Sequence, residues 1–285
     1  MRRAAAGLLL VSSVLASAAS AAPKPAVPRF KHVIVAVFEN KERSEIAGNP
    51  AAPTFNALGR RYATLPGYTG VAHPSLPNYL ALVSGSTHGI TNDCTDCVVD
   101  GPSLADTLAA AHRTWKTYAE GLPSTGSTDA FAGRYAKKHD PFLYFRRVLA
   151  NRAWLDRVVP FGQLAADVRS RRLPDYSLVV PDLCHDMHDC SVRTGDRWLK
   201  ANIVPLLASP ALAGSVVFVV FDEGSSSRGG GGNVTALATG PAVRPGATFT
   251  AAANHYSLLR TIEQAWGLPL LGKSAHARPV IGIWR

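Results

Sequence analysis

The stretch HVIVAVFEN, residues 32–40, and its counterpart SVVFVVFDEG, residues 215–224, decide the fold. Each is an unbroken apolar run, rich in valine, that ends in acidic or amide side chains. Runs of this length suit strands buried on both faces, the pattern of a parallel sheet covered by helices. The prediction is an α/β fold with a mostly parallel central sheet flanked by helices. In such sheets the loops at the carboxyl ends of the strands meet in one crevice, and ligands bind there. Glu39 and Asn40 at one strand end and Asp222 and Glu223 at the other therefore predict a shared charged site. These oxygen donors suit a hard divalent cation, which takes deprotonated carboxylates as ligands. Polar strand ends facing water are the plainer alternative.

The chain opens MRR, followed by AAAGLLLVSSVLASAASAA, with small residues at A-x-A spacing near Ala19 to Ala21. A basic start, a short apolar stretch and such a site form the pattern of a signal peptide over residues 1–21. Residues 22–285 are then expected as one domain, exported without stable membrane insertion. Removing Arg2 and Arg3 lowers the formal charge from +10 to +8. The mature chain stays basic and favours anionic molecules. Its cations are scattered, which does not indicate a nucleic-acid partner.

Exported chains keep disulfides. Two local bridges, Cys94 with Cys97 and Cys184 with Cys190, are the first choice among the three connectivities of four cysteines, and a structural zinc is the sharper alternative. SSSRGGGG, residues 225–232, is expected as a flexible loop beside the site. It lacks the Lys-Ser/Thr ending of a phosphate-cradling loop.

Helices are further expected over 54–62, 78–84, 103–112, 195–209 and 254–268, with strands over 114–120, 176–182 and 233–240. In HPSLPNYLALVSG, residues 73–85, Pro77 fits a first helical turn and Ser75 stands at or just before the helix start. Free backbone N–H groups there favour an anion, which suits a nucleophile attacking phosphorus; a simple cap is the ordinary reading of such a serine. PDLCHDMHDC, residues 181–190, packs His185, Asp186, His188 and Asp189 between two cysteines, a density suited to metal ligation or proton exchange. His255 falls in the first turn after a capping Asn254, where the helix dipole disfavours imidazolium. A lone histidine there is usually structural.

Taken together, FEN at 38–40, HPSLPNYLALVSG, KHDPF at 138–142, PDLCHDMHD, GDRWL at 195–199, FDEG at 221–224 and NHYSLLRTIE at 254–263 resemble the phosphoesterase family of secreted acid phosphatases and bacterial phospholipases C, within the alkaline-phosphatase-like superfamily. The likeness spans about residues 30–272 and implies a three-layer sandwich. It implies a divalent cation held by Glu39, Asn40, Asp222 and Glu223, with Ser75 as fifth ligand and nucleophile. It makes His255 the general acid, with Asp186 and His188 around the same oxygen, and gives Asn40, His139 and His185 to phosphate contacts. Asp140 departs from the asparagine that related chains often carry. One metal is favoured, and Asp182, Asp186, His188 and His255 are the candidates for a second. Calcium, magnesium, zinc and iron all fit oxygen ligands.

The function expected is hydrolysis of small phosphate monoesters through a phosphoserine. A phospholipase C or other phosphodiesterase is the alternative, disfavoured by the short C-terminal part. A secreted binding protein of the same fold that has lost catalysis is the third reading.

Overall fold

The structure, a computed structural model, describes Met1 and residues 26–285, so the expected leader lies outside the described residues but for Met1. Among the described residues eight strands form the main sheet: β1 Val33–Phe38, β2 Ala63–Thr64, β3 Trp115–Ala119, β4 Val158–Pro160, β5 Tyr176–Val180, β6 Val216–Phe221, β7 Ala236–Thr239 and β8 Ala247–Thr248. Their spatial order is β8-β2-β7-β6-β1-β5-β3-β4. From β6 to β4 every pairing is parallel, and β7 turns the sheet antiparallel. All six residues of β1 and of β6 are buried, as the two apolar runs predict.

Helices α1 Pro53–Arg61, α2 Ser75–Ser84, α3 Leu104–Ala110, α4 Gln163–Arg169, α5 Val192–Asn202 and α6 His255–Trp266 surround the sheet. Side chains alternate across a strand. Phe38 and Phe221 point to the layer of α1 and α5, where Phe38 meets Phe55 at 5.0 Å and Trp198 at 6.0 Å between ring centroids. The neighbouring positions, Glu39 and Asp222, fall on the other alternation, on the side of α2, which packs against α6.

Two expected elements shift. The apolar stretch expected as helix over 78–84 extends back to Ser75, with Pro77 in the first turn and Ser75 at the helix start as expected. The helix predicted over 195–209 starts at Val192, capped by the Ser191 side chain, and stops at Asn202, with a separate turn at Val204–Leu207 carrying Pro205. Cys94–Cys97 and Cys184–Cys190 are the bridges, so the zinc alternative falls away.

The glycine loop makes backbone hydrogen bonds to its surroundings. Gly231 accepts from the Gly224 N–H at 2.7 Å, and Gly232 accepts from the Gly70 N–H at 3.0 Å. A Cβ on Gly70 would stand 2.7 Å from the Asp222 carbonyl oxygen, so this close backbone approach requires glycine.

Candidate active site

The register Phe38↔Phe221 makes Glu39 and Asp222 the next pair along neighbouring strands. The Asp222 N–H donates to the Phe38 carbonyl at 2.9 Å, extending the ladder to the site itself. Ser75, first residue of α2, places Oγ 3.2 Å from Glu39 Oε2 and 3.3 Å from Glu223 Oε1. Ligand atoms of Glu39, Asp222 and Glu223 all lie within 4.8 Å of one another, and all three residues are buried. Asn40 takes a left-handed backbone conformation (φ 54°), and its N–H donates to Asp222 Oδ1 at 3.3 Å.

Three carboxylates this close and this dry repel one another. Burial raises the Asp222 carboxyl well above its usual range, and Glu39 and Glu223 push it further. Burial raises Glu223 as well, with Glu39 adding to it. Burial also acts to raise Glu39, but His139 and Lys138 outweigh it and hold this carboxyl low. Asp222 Oδ2 is buried without a hydrogen-bond partner among the described residues. An all-oxygen donor set with an excess of negative charge fits a hard divalent cation.

His139 sits behind this cradle. Its Nε2 is 2.6 Å from Glu39 Oε1 and its Nδ1 is 3.2 Å from Asp186 Oδ2, while its ring stacks on Tyr79. Burial disfavours its charge, yet Glu39 and Asp186 prevail and raise its pKa to about 9. Both ring nitrogens of His139 are thus directed at carboxylates, whereas a phosphate contact was expected. Asp186 ties the histidine-rich loop to the end of β1: its carbonyl accepts from the Glu39 N–H at 2.8 Å, and its Oδ1 accepts from the His188 N–H at 2.7 Å.

His255, expected as general acid, has both ring nitrogens engaged. It is buried, with Nε2 2.5 Å from the Asp222 carbonyl oxygen and Nδ1 3.0 Å from the Tyr68 hydroxyl. A carbonyl only accepts, so Nε2 carries the proton and Nδ1 accepts from Tyr68. Burial lowers the His255 pKa to about 4. With both ring nitrogens engaged, His255 links the start of α6 to Asp222.

The second metal set is dispersed. Asp182 joins Glu120 and His185, whose Nδ1 lies 3.0 Å from Glu120 Oε2 and 3.2 Å from Asp182 Oδ1. Asp186 holds His139, and His255 holds the Asp222 carbonyl. His185 is therefore bound within a separate cluster rather than beside Ser75. His188, part-exposed, has Asp189 Oδ1 at 2.7 Å from Nδ1 and Lys138 Nζ at 3.4 Å from Nε2.

Three residues at the site were not anticipated. Lys138 Nζ lies 2.9 Å from Asp93 Oδ2 and 3.4 Å from Ser75 Oγ. Asp93 Oδ1 accepts from the Leu76 N–H at 2.9 Å, so an amide expected to be free at the start of α2 is already bound. His73 contacts Glu223 through Nδ1 and donates from Nε2 to the Ser226 carbonyl at 2.9 Å. Burial opposes the Lys138 ammonium, but Glu39, Asp93 and Asp222 together raise its pKa. In the sequence Lys138 opens the KHDPF string, but it carries no role of its own there.

The model of the Phosphoesterase family matches residues 48–269. This chain belongs to the Phosphoesterase family. A phosphatidylinositol-3-phosphatase of Mycobacterium tuberculosis is 36% identical, the match covering 97% of this chain and 92% of the relative. A probable acid phosphatase of Kluyveromyces lactis is 28% identical over 86% of this chain and 60% of its own length, so this phosphoesterase spans well under two thirds of that relative. Among solved structures, a protein of the alkaline phosphatase superfamily from Vibrio parahaemolyticus aligns over 89% of this chain and 72% of its own, with a TM-score of 0.60 and 13% sequence identity. That likeness is one of fold. The phosphoesterase is a hydrolase of phosphoric ester bonds.

Proposed function

We propose that this phosphoesterase hydrolyses phosphate monoesters with a bound divalent cation and a transient phosphoserine at Ser75. The observation that supports this reading is Ser75 Oγ lying between Glu39 and Glu223, at 3.2 and 3.3 Å. Glu39, Asp222 and Glu223, with Ser75 and the neighbouring Asn40, would hold the cation. Such a cation supplies charge that balances the carboxylates and lowers the cost of a serine alkoxide.

The hydrogen of Ser75 passes to one of the two carboxylates as Oγ attacks phosphorus. The Oγ–P bond forms, the P–O ester bond breaks, and its electron pair leaves on the alcohol oxygen. His188, part-exposed and backed by Asp189, gives that oxygen a proton. Water then attacks phosphorus, Oγ leaves and regains its hydrogen, and His188 is reprotonated by the proton that water loses. His139 and His255 stay out of the proton transfers; each positions a carboxylate-bearing strand end.

The relative named phosphatidylinositol-3-phosphatase favours a second reading within the same chemistry, a monoester carried on an inositol lipid. It counts for a phosphatase over a phospholipase C. We place the protein outside the cytoplasm after removal of residues 1–21, in keeping with its two disulfides. N-terminal sequencing of protein recovered from the medium checks the export.

The decisive experiment is acid quenching of the metal-loaded enzyme during turnover of an aryl phosphate, followed by mass spectrometry of the Ser75 peptide. Phosphate on Ser75, and loss of turnover in Ser75→Ala with metal retained, is the expected result. Unchanged turnover in Ser75→Ala would remove the nucleophile.

A further inference from the structure

We propose that Lys138 is a further catalytic residue, the fixed cation that holds the phosphoryl oxygens beside Ser75, and that Asp93 is its positioning residue. The inference rests on the reading of Ser75 as nucleophile. A two-metal phosphatase uses its second cation to balance charge on the oxygens in flight. Here the residues expected to supply such a site are each engaged elsewhere, and the ammonium of Lys138 stands next to the nucleophile instead.

The geometry is built for this. Lys138 is 9% exposed, an unusual state for lysine, which is seldom buried without a paired charge. Its partner is Asp93, at 2.9 Å from Nζ, and the other oxygen of Asp93 is fixed by the Leu76 N–H. Asp93 therefore ties the ammonium to the backbone of the residue that follows Ser75, so nucleophile and cation keep their spacing. The other two neighbours of Nζ, Ser75 Oγ and His188 Nε2, are both 3.4 Å away. That is the outer limit of a hydrogen bond, so two N–H donors are weakly held and turn readily to an anion lying against Ser75.

Charge supply points the same way. Glu39, Asp222 and Glu223 together match or exceed the charge of one divalent cation, so the loaded cradle has no positive charge to spare for the phosphoryl oxygens. Among the nearby basic side chains, His139 is consumed between Glu39 and Asp186. His73 is committed to Glu223 and the Ser226 carbonyl. Lys138 and His188 remain on the substrate side. Lys138 and His139 are consecutive, so one short turn, Lys137–His139, places a cation behind the cradle and another in front of it. Negative charge on the phosphoryl oxygens must be met by fixed positive groups through the transition state, and an ammonium supplies this without reorganisation.

The test compares wild type, Lys138→Met, Lys138→Arg, Asp93→Asn and Ser75→Ala as full chains loaded with metal. The readouts are kcat and KM on an aryl phosphate, the inhibition constant of inorganic phosphate, metal content per chain and the phosphoserine trap. Lys138→Met should lower kcat by about a hundredfold to a thousandfold. It should also weaken phosphate inhibition by about tenfold or more while metal content stays at the wild-type value. Lys138→Arg should recover part of both losses, and Asp93→Asn should show a smaller loss of the same kind. Lys138→Met with kcat and phosphate inhibition within about threefold of wild type overturns the proposal. So does loss of metal in proportion to activity, which would make Lys138 a prop of the cradle. Should Lys138→Met fail to fold, unchanged phosphate inhibition in Asp93→Asn overturns it instead. Turnover surviving in Ser75→Ala would defeat the nucleophile itself, whereas an inactive Ser75→Ala beside a normal Lys138→Met would defeat only the lysine.

Discussion

His255 donates from Nε2 to the carbonyl oxygen of Asp222 at 2.5 Å, which joins the start of α6 to the residue that follows β6. The bond spends the only ring proton of a neutral imidazole on holding a metal-ligand candidate in place. Replacing His255 by Gln should therefore weaken metal affinity by about tenfold to a hundredfold, the usual cost of losing a group that orients a ligand. The alkaline limb of the pH–rate profile should survive with excess metal. Disappearance of that limb in His255→Gln would restore the ring as general acid.

His188 should behave as the proton donor. With Asp189 at 2.7 Å behind it, His188→Asn should slow alkyl phosphates by about a hundredfold or more. Aryl phosphates with a strongly acidic phenol, which leave unaided, should lose under about tenfold. Equal losses on both substrates would argue against donation to the leaving oxygen.

Metal removal should destabilise the chain as well as stop turnover. Glu39, Asp222 and Glu223 lie within 4.8 Å of one another, and a bound cation relieves their repulsion. A ligand at a hundred times its Kd adds about 2.7 kcal/mol, so readdition after chelation should raise Tm by roughly 5–10 °C. Asp222→Asn should show a much smaller rise. A chelated protein with unchanged Tm and undiminished turnover would exclude the cradle as a metal site.

Glu263 offers a stability prediction remote from the cradle. It is buried at the far end of α6 and accepts from the Leu271 N–H at 2.8 Å and the Ser274 hydroxyl at 2.6 Å. Burial outweighs these bonds and raises its pKa from 4.5 to about 7. The folded state then holds the proton more tightly than the unfolded chain. Its contribution is complete below the unfolded pKa and is lost as pH rises through the folded one, an effect of roughly 3 kcal/mol. Glu263→Gln should match wild type at pH near 4 and exceed it at pH near 8 in urea unfolding. Parallel stability curves for the two proteins would refute the shift.

Much of the cradle is legible in the chain because it is local. A valine run followed by Glu-Asn or Asp-Glu makes a buried strand with charge at its end, whatever the remainder of the fold does. Ser75 is legible for a similar reason, since a proline two residues on marks a helix start. The roles of Lys138, which opens the quoted KHDPF string, and of Asp93 are not legible. A lysine becomes a buried cation only when long-range packing seats it, and residue 93 reaches Nζ from 45 positions away. Glycine permits both mobility and close backbone approach, so the hydrogen bond from Gly70 to Gly232 is decided by the fold and not by the composition of the loop.

The sequence by itself determined the sheet, its parallel core and the four strand-end residues, since hydrophobic periodicity and strand length act over a few neighbouring positions. Tertiary structure decided which histidine faces which charge. His139 goes to Glu39 and Asp186, His185 to Glu120, His255 to the Asp222 carbonyl, and His188 alone keeps a ring nitrogen beside Lys138 near the nucleophile. An imidazole takes its role from the partners that burial brings to its two nitrogens, and those partners lie far away in the chain.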